Sequence, residues 1–237
     1  MQLINKNLSS SPIKKWYKKW WGIFLIIFLT IIAALFVALG FYIFDIVKKI
    51  KSENFYNQNF LSQLQNSKKY EMEEKNNYWL GTAKPKVTIV EFADFNCSLC
   101  KNSFTKIREI SLKYKNDVKI IFRDYPIYES SLDLALAARC AGEQGLFWLM
   151  HDKFFTYQGD FNLNQLPDLA NQIGADVDKF NDCLAQKKYL KDIQEDYSDA
   201  QNLEIKGTPT WFINGYKISG DIPYDLFIKI IEKLIGE

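Results

Sequence analysis

Apolar residues run from Trp21 to Phe44, and Thr30 is the one polar side chain there apart from the amphipathic Trp21 and Tyr42. As a helix these residues span about 36 Å, enough to cross a bilayer. Ile43, Ile46, Val47 and Ile50 then keep helical spacing, which predicts a few further turns. From Lys51 to Asn77 the composition turns to Asn, Gln, Lys and Glu. Phe60, Leu61 and Leu64 form at most a short amphipathic turn there, and the segment reads as a tether. After Tyr78-Trp79-Leu80-Gly81 the pattern becomes that of a folded domain. Val87–Ala93 predicts a strand, and Cys100–Tyr114 a helix through Phe104, Ile107, Ile110 and Leu112. Val118–Phe122 predicts a second strand, ended by Asp124-Tyr125-Pro126.

From Ser130 to about Leu203 the pattern is helical throughout, with stretches at Leu132–Gly142, Gly145–Tyr157, Leu163–Ile173 and Val177–Ala200. Gly207-Thr208-Pro209 interrupts it. Thr210–Ile213 and Tyr216–Ile218 flank Asn214-Gly215, a type I′ hairpin signal. Pro223–Ile235 predicts a closing amphipathic helix. Two strands joined by a helix predict a parallel pair with a right-handed crossover, and the hairpin adds antiparallel strands. The expected organisation is a cytoplasmic tail over 1–20, a transmembrane anchor over 21–44, a linker or stalk over 45–77 and a folded domain over 78–237, with a helical insertion at about 130–203.

Charge sharpens the division. The first 51 residues hold eight lysines and one aspartate, so the chain's +2 splits into +7 there and −5 on residues 52–237. The basic balance therefore belongs to the anchor, and nothing points to a nucleic-acid surface. Lys6, Lys14, Lys15, Lys18 and Lys19 precede the span, while Lys48, Lys49 and Lys51 follow it. This bias favours an inside N-terminus and an outside C-terminal domain, with Trp16, Tyr17, Trp20 and Trp21 as an interfacial belt. A cleavable signal peptide is the competing reading, with Ala38-Leu39-Gly40 at cleavage-like spacing. The long leader and the continued apolar run Phe41–Phe44 favour an uncleaved anchor. Both readings place the domain where disulfides persist.

Cys97-Ser98-Leu99-Cys100 carries the candidate chemistry. Two thiols on the first turn of a helix, fed by a buried strand, can open and close a disulfide with little backbone movement. Cys97, at the helix N-terminus, faces unsatisfied amides and the positive end of the dipole, which favour thiolate; its sulfur is expected to be exposed. Lys101 adds a small attraction. Cys100, one turn further in, is expected to be the more buried and to resolve a mixed disulfide. A structural disulfide or half a zinc site is the alternative; for zinc, His151 is the only histidine and no second Cys pair stands at ligand spacing, so no metal is expected. Cys140 and Cys183 remain. The natural pairing of the four sulfurs is Cys97–Cys100 and Cys140–Cys183, the second a structural bond closing about 44 residues and contributing up to ~4 kcal/mol. Two free buried thiols or a second redox pair are the alternatives. His151 and Asp152, beside Phe147, Trp148, Phe154 and Phe155, read as packing residues.

Three segments resemble the DsbA-like thiol:disulfide oxidoreductases: Val87–Phe95 leading into Cys97-Ser98-Leu99-Cys100-Lys101, then Ala137–Gly145, then Gly207-Thr208-Pro209-Thr210-Trp211-Phe212-Ile213-Asn214-Gly215. The resemblance covers roughly 78–236. It implies an α/β thioredoxin-like fold with an inserted helical domain, here preceded by one N-terminal transmembrane helix. It implies that Pro209 follows a cis bond and packs against the Cys pair, so that Thr208 offers its backbone to a client peptide. It also implies that Glu91 is a buried acid relaying protons to the inner cysteine; a carboxylate at a solvated sheet edge is the alternative. The implied partners are Cys-containing client proteins and an integral membrane quinone-linked reoxidant, with no organic cofactor. Ser98-Leu99 departs from the Pro-then-His pair of the strongest oxidants, which predicts a milder couple than about −120 mV. A reductase or isomerase of the same fold, or a redox-independent peptide-binding chaperone module, stays open.

Overall fold

A computed structural model describes residues 20–65, 67–72, 78–160 and 162–236. The lysines expected before the span, with Trp16 and Tyr17, lie outside the described residues, as do residues 73–77 of the expected stalk. The chain forms two compact units, Met1–Asn59 and Phe60–Glu237. Helix α1 is Trp20–Gln65, and its Trp20–Lys49 portion is long and apolar enough to cross a membrane, with mean hydropathy 3.0 and 6% of it buried. The helix runs about four turns further than the pattern of apolar residues predicts. Residues 51–65 hold neither Gly nor Pro and are rich in good helix formers, so nothing stops it.

The second unit is built on a five-stranded sheet in the order β1-β3-β2-β4-β5. β2 (Val87–Ala93) and β3 (Val118–Asp124) pair in parallel, joined by α2 (Ser98–Lys113). β4 (Thr210–Ile213) pairs antiparallel with β2, and β5 (Tyr216–Ser219) antiparallel with β4. Asn214 (φ 46°) and Gly215 (φ 87°) turn that hairpin, both in the left-handed region a type I′ turn requires. A side chain at position 215 would also strike Tyr70 O at 2.4 Å. β1 (Trp79–Gly81) adds an antiparallel edge to β3. Three residues are too few for a period-2 signal, and the sequence pattern does not show this strand.

Residues ahead of 78 also pair with the sheet. Lys69 bridges to Tyr216, Tyr70 N donates to Gly215 O, and the Tyr70 ring packs edge-on to Phe212. The β2 strand is buried almost throughout, because the sheet is covered on both faces. One face holds Val87, Ile89, Val118, Ile120 and Trp211 against Ile107 and Ile110 of α2 and Phe227, Ile230 and Ile231 of α8 (Tyr224–Gly236). The other packs Val90, Phe92, Ile121 and Phe212 against Ala200 and Ile205.

Between β3 and β4 lies the helical block: α3 (Ser131–Gly142), α4 (Phe147–Thr156), a 3₁₀ turn at Leu163–Gln165, α5 (Leu166–Gln172), α6 (Val177–Ala185) and α7 (Leu190–Asn202). The expected single stretch Val177–Ala200 is two helices, broken where Lys187 turns left-handed (φ 48°). A disulfide joins Cys140 of α3 to Cys183 of α6, with Cα atoms 5.8 Å apart. A buried ion network fastens the block to the sheet. Arg139 Nε donates to Asp124 at 2.6 Å and its Nη2 to Asp196 at 2.5 Å, while Arg123 Nε donates to Asp196 at 2.7 Å. Burial holds Asp124 up at about 6 even with Arg139 beside it. His151 is buried among Phe95, Phe122, Trp148 and Phe155, its Nδ1 2.9 Å from Asp152, whose carboxylate meets Arg108 at 3.2 Å.

Candidate functional site

The end of β2 and the start of α2 carry the Cys pair. Cys97 is the N-cap of α2 in extended backbone (φ −80°, ψ 121°), and its carbonyl accepts from Lys101 N at 3.1 Å. The cap position leaves the amides of the first turn without helical partners, pointing back at the Cys97 side chain. The Thr208-Pro209 bond is cis and returns to the same place: the Cys97 Sγ donates to Thr208 O at 3.2 Å. Residues 111 apart in the chain thus meet at one sulfur.

Cys97 is pulled down to about 6. The Cys100 thiol as a hydrogen-bond donor is the largest cause; burial opposes it, and Thr208 and the Cys100 and Leu99 amides add to it. Thr208 Oγ1 is buried without a partner while Cys97 is a thiol. On ionisation the sulfur becomes an acceptor, and this hydroxyl stands ready to donate to it. Cys100 is pushed far up, by burial first, then by its bond to Cys97 and by the charge of Glu91. Glu91, only 4% exposed, lies mid-strand on β2, paired with Trp211 and Phe122, and shares its face with Ile89 and Ala93. Burial, helped by the Cys97 charge, raises it to about 8. It is not at a solvated edge, since β2 is the central strand.

Two expectations change. The Cys97 sulfur is not exposed: the residue is 2% accessible, against 0% for Cys100. A side chain at an N-cap between two converging loops is covered by both. Lys101 is not turned toward the sulfur; its Nζ donates to Gln158 O at 3.3 Å. The structure brings Cys97, Cys100, Glu91, Thr208 and Pro209 into one site and puts Cys140 and Cys183 in the helical block.

Asp94 and Gln158 hold this loop, and the sequence pattern singles out neither for that role. Asp94, buried, takes four hydrogen bonds: Asn96 N (2.7 Å) and Ser131 Oγ (2.5 Å) on one oxygen, Ile127 N (2.7 Å) and Tyr128 N (3.1 Å) on the other. Gln158 Nε2 donates to Phe95 O at 2.6 Å and to Cys97 O at 3.1 Å. An Asp followed two residues later by Asn is a turn signal, but its long-range donors leave no mark in the sequence. Among the described residues, no cluster of His, Cys, Asp and Glu could hold a metal ion.

The chain matches the family model described as Thioredoxin over residues 73–233. It is similar to BdbD from Bacillus subtilis, whose oxidised crystal structure superposes with TM-score 0.65 at 26% identity, covering 71% of this chain and 98% of that one. It is also similar to α-DsbA1 of Wolbachia pipientis (TM-score 0.62, 27% identity, 70% and 94% covered). A sequence relative is a Na⁺/H⁺ antiporter, NhaA 1 of Salinispora arenicola, 33% identical over 143 residues that make up 59% of this chain. The match spans only 22% of that protein's length. Fold, Cys-X-X-Cys placement and family match agree: the chain belongs to the thioredoxin family and has the DsbA-like form of its fold.

Proposed function

We propose that this protein is a membrane-anchored, extracytoplasmic thiol:disulfide oxidoreductase that introduces or exchanges disulfides in secreted or envelope proteins through Cys97 and Cys100. The observation that carries the reading is the Cys97 sulfur at a helix N-cap, 3.2 Å from the carbonyl of Thr208 in the cis Thr208-Pro209 loop. A sulfur held there as thiolate is both a good nucleophile and a good leaving group.

In the oxidising direction a client thiolate attacks Sγ of Cys97 in the Cys97–Cys100 disulfide, and Cys100 leaves with the electron pair. The second client thiolate then attacks the client sulfur of the mixed disulfide, and Cys97 leaves as thiolate. The client is oxidised by two electrons, the pair is reduced by two, and the two client protons pass to Cys100 and to solvent. In reverse, Cys100 must lose its proton to resolve the mixed disulfide. Glu91 is the acceptor: burial holds its carboxyl up at about 8, and bonding of Cys97 to a client removes only the smaller cause of that rise, so a larger fraction of Glu91 is ionised when a base is wanted. Thr208 presents its backbone to an extended client segment beside Cys97. Cys140–Cys183 is structural and takes no part.

The Trp20–Lys49 helix supports an anchor, and the lysine bias supports a domain outside the cytoplasm. An integral membrane quinone-linked protein is the reoxidant this reading calls for. The test pairs Cys97→Ser with Cys100→Ala. Cys97→Ser abolishes oxidation of a reduced client, and Cys100→Ala accumulates mixed disulfides on Cys97. Undiminished client handling by Cys97→Ser refutes the redox reading in favour of a chaperone module.

A further inference from the structure

The N-cap of α2 lacks the usual support. Ser, Thr, Asp and Asn fix such a position with their own side-chain oxygen, but Cys97 makes no side-chain cap bond. Its backbone is held from the helical block instead. Gln158 follows α4, and its Nε2 donates to Phe95 O at 2.6 Å and to Cys97 O at 3.1 Å. The grip is reciprocal, since Lys101 Nζ of α2 donates to Gln158 O at 3.3 Å. Gln158 is itself presented on a closed turn. Asp160 N donates to Tyr157 O at 2.8 Å, and Gly159 takes the left-handed φ of 88° that glycine adopts freely. In the same loop as Cys97, the Phe95 ring packs on Phe154 and Phe155 of α4, its centroid 5.2 Å from each. α4 and the turn after it therefore seat the loop before Cys97 through apolar contacts at Phe95 and a polar clamp at Gln158.

We propose that Gln158 is a positioning residue, which holds the N-cap of α2 from the helical block so that the first-turn amides stay aimed at the Cys97 sulfur. The inference rests on Cys97 being the exchanging thiol. The peptide group is planar, so a carbonyl held at Cys97 fixes the plane of the peptide that opens the helix. The Leu99 and Cys100 amides that favour the thiolate lie in that same turn. The titratable groups coupled to this sulfur are Glu91 of β2, Cys100 of α2 and Tyr128 ahead of α3, while Lys101 spends its ammonium on Gln158. Gln158 carries no charge at any pH, so its influence on Cys97 is geometric. Through it the helical insertion takes part in setting the reactivity of a thiol carried by α2.

The experiment titrates the ultraviolet thiolate absorbance of the reduced full chain in detergent, for wild type, Gln158→Met and Gln172→Met. Methionine at 158 keeps the length of the side chain and removes its donor N–H groups. The midpoint of Gln158→Met is expected about half a pH unit above the wild-type value, which leaves roughly threefold less thiolate below the midpoint and slows iodoacetamide alkylation there by the same factor. Gln172→Met removes a side-chain bond elsewhere in the block, to Lys153 at 2.9 Å, and is expected to leave the midpoint where it is. An unmoved Gln158→Met midpoint, with or without a lower melting temperature, is what a merely structural role gives, and it overturns the proposal. An equal shift in Gln172→Met does the same. Oxidation of a reduced client by wild type and Cys97→Ser, run in parallel, separates the two readings. Exchange that depends on Cys97, with an unmoved Gln158→Met midpoint, rejects Gln158 alone; absence of exchange by wild type rejects Cys97 as the exchanging thiol and the proposal with it.

Discussion

Cys97–Cys100 and Cys140–Cys183 are both carried on helices, and the four residues are equally hidden, between 0 and 5% accessible. Burial therefore does not separate a reactive sulfur from a structural one. What differs is what surrounds them. Cys97 caps a helix, with free amides, a neighbouring thiol and the Thr208 loop around its sulfur. Cys140 and Cys183 sit inside helices α3 and α6, whose amides are spent on their own turns, in a core of Leu134, Ala137, Phe147 and Phe180. The first pair spans one helical turn. The second ties segments 43 residues apart, so its removal frees far more chain. The same residue type gives a chemical tool in one place and a staple in the other, according to which backbone donors are left over.

Exchanging the roles of the pairs tests this most severely. Replacing Cys140 and Cys183 together by alanine is expected to lower stability by about 2–4 kcal/mol in urea unfolding of the oxidised protein. The thiolate midpoint of Cys97 is expected to stay near 6. Cys97→Ser is expected to reverse both results, with exchange lost and stability nearly kept. A Cys97 midpoint that moves with the distant disulfide would tie the two regions together and break the comparison.

Glu91 gives the next largest effect. Its folded value near 8 stands above the ordinary 4.5, so the folded state keeps a proton that the unfolded chain releases. Stability from this group is therefore present below pH 4.5 and is lost as pH rises toward 8. In the oxidised protein, where the Cys97 charge is absent, burial alone maintains the shift, and the loss across that window is expected to be a few kcal/mol. Glu91→Gln should abolish that slope, leave it the more stable protein at pH 8, and slow resolution of the mixed disulfide. Parallel stability profiles for the two proteins would show that Glu91 is not a buried titrating acid. The sheet has a second acid of this kind, Asp124 at the end of β3, at about 6, but there Arg139 of the helical block opposes the burial and the group serves packing rather than proton transfer.

The smallest effect probes the cis-proline loop. Thr208→Val keeps the shape and removes the unpartnered hydroxyl. The Cys97 midpoint is expected to rise by about half a pH unit, because one donor to the thiolate is lost. Stability is expected to rise by ~1 kcal/mol, because a buried orphan group is gone. An unchanged midpoint would leave the Cys100 thiol and the helix amides as the donors that hold this thiolate.

Much of the fold is legible because its signals are local. The Cys-X-X-Cys spacing, the Asn214-Gly215 turn, the apolar run of β2 and the closing amphipathic helix each lie within a few residues, and each stands where the pattern puts it. Glu91 is visible as an acid in an apolar strand. The three-residue strand β1 and the Lys69–Tyr216 bridge are not legible, because they are edge pairings decided by the strand they meet. The break between α6 and α7 is set by one left-handed residue, Lys187, whose side chain gives no warning of it.

By itself the sequence determined the kinds of element, the apolar helix ahead of the domain, and the presence of two thiols one helical turn apart. These follow from periodicity and from backbone rules that act over a turn or a strand. Only the tertiary structure decided that the Thr208 carbonyl lies on the Cys97 sulfur, that this sulfur is covered, that Asp94 clamps the loop of Tyr128, and that Arg123, Arg139, Asp124 and Asp196 close one buried network. Hydrogen bonds and desolvation depend on distance in space, and residues 15 to 111 apart in the chain carry no pattern that fixes it.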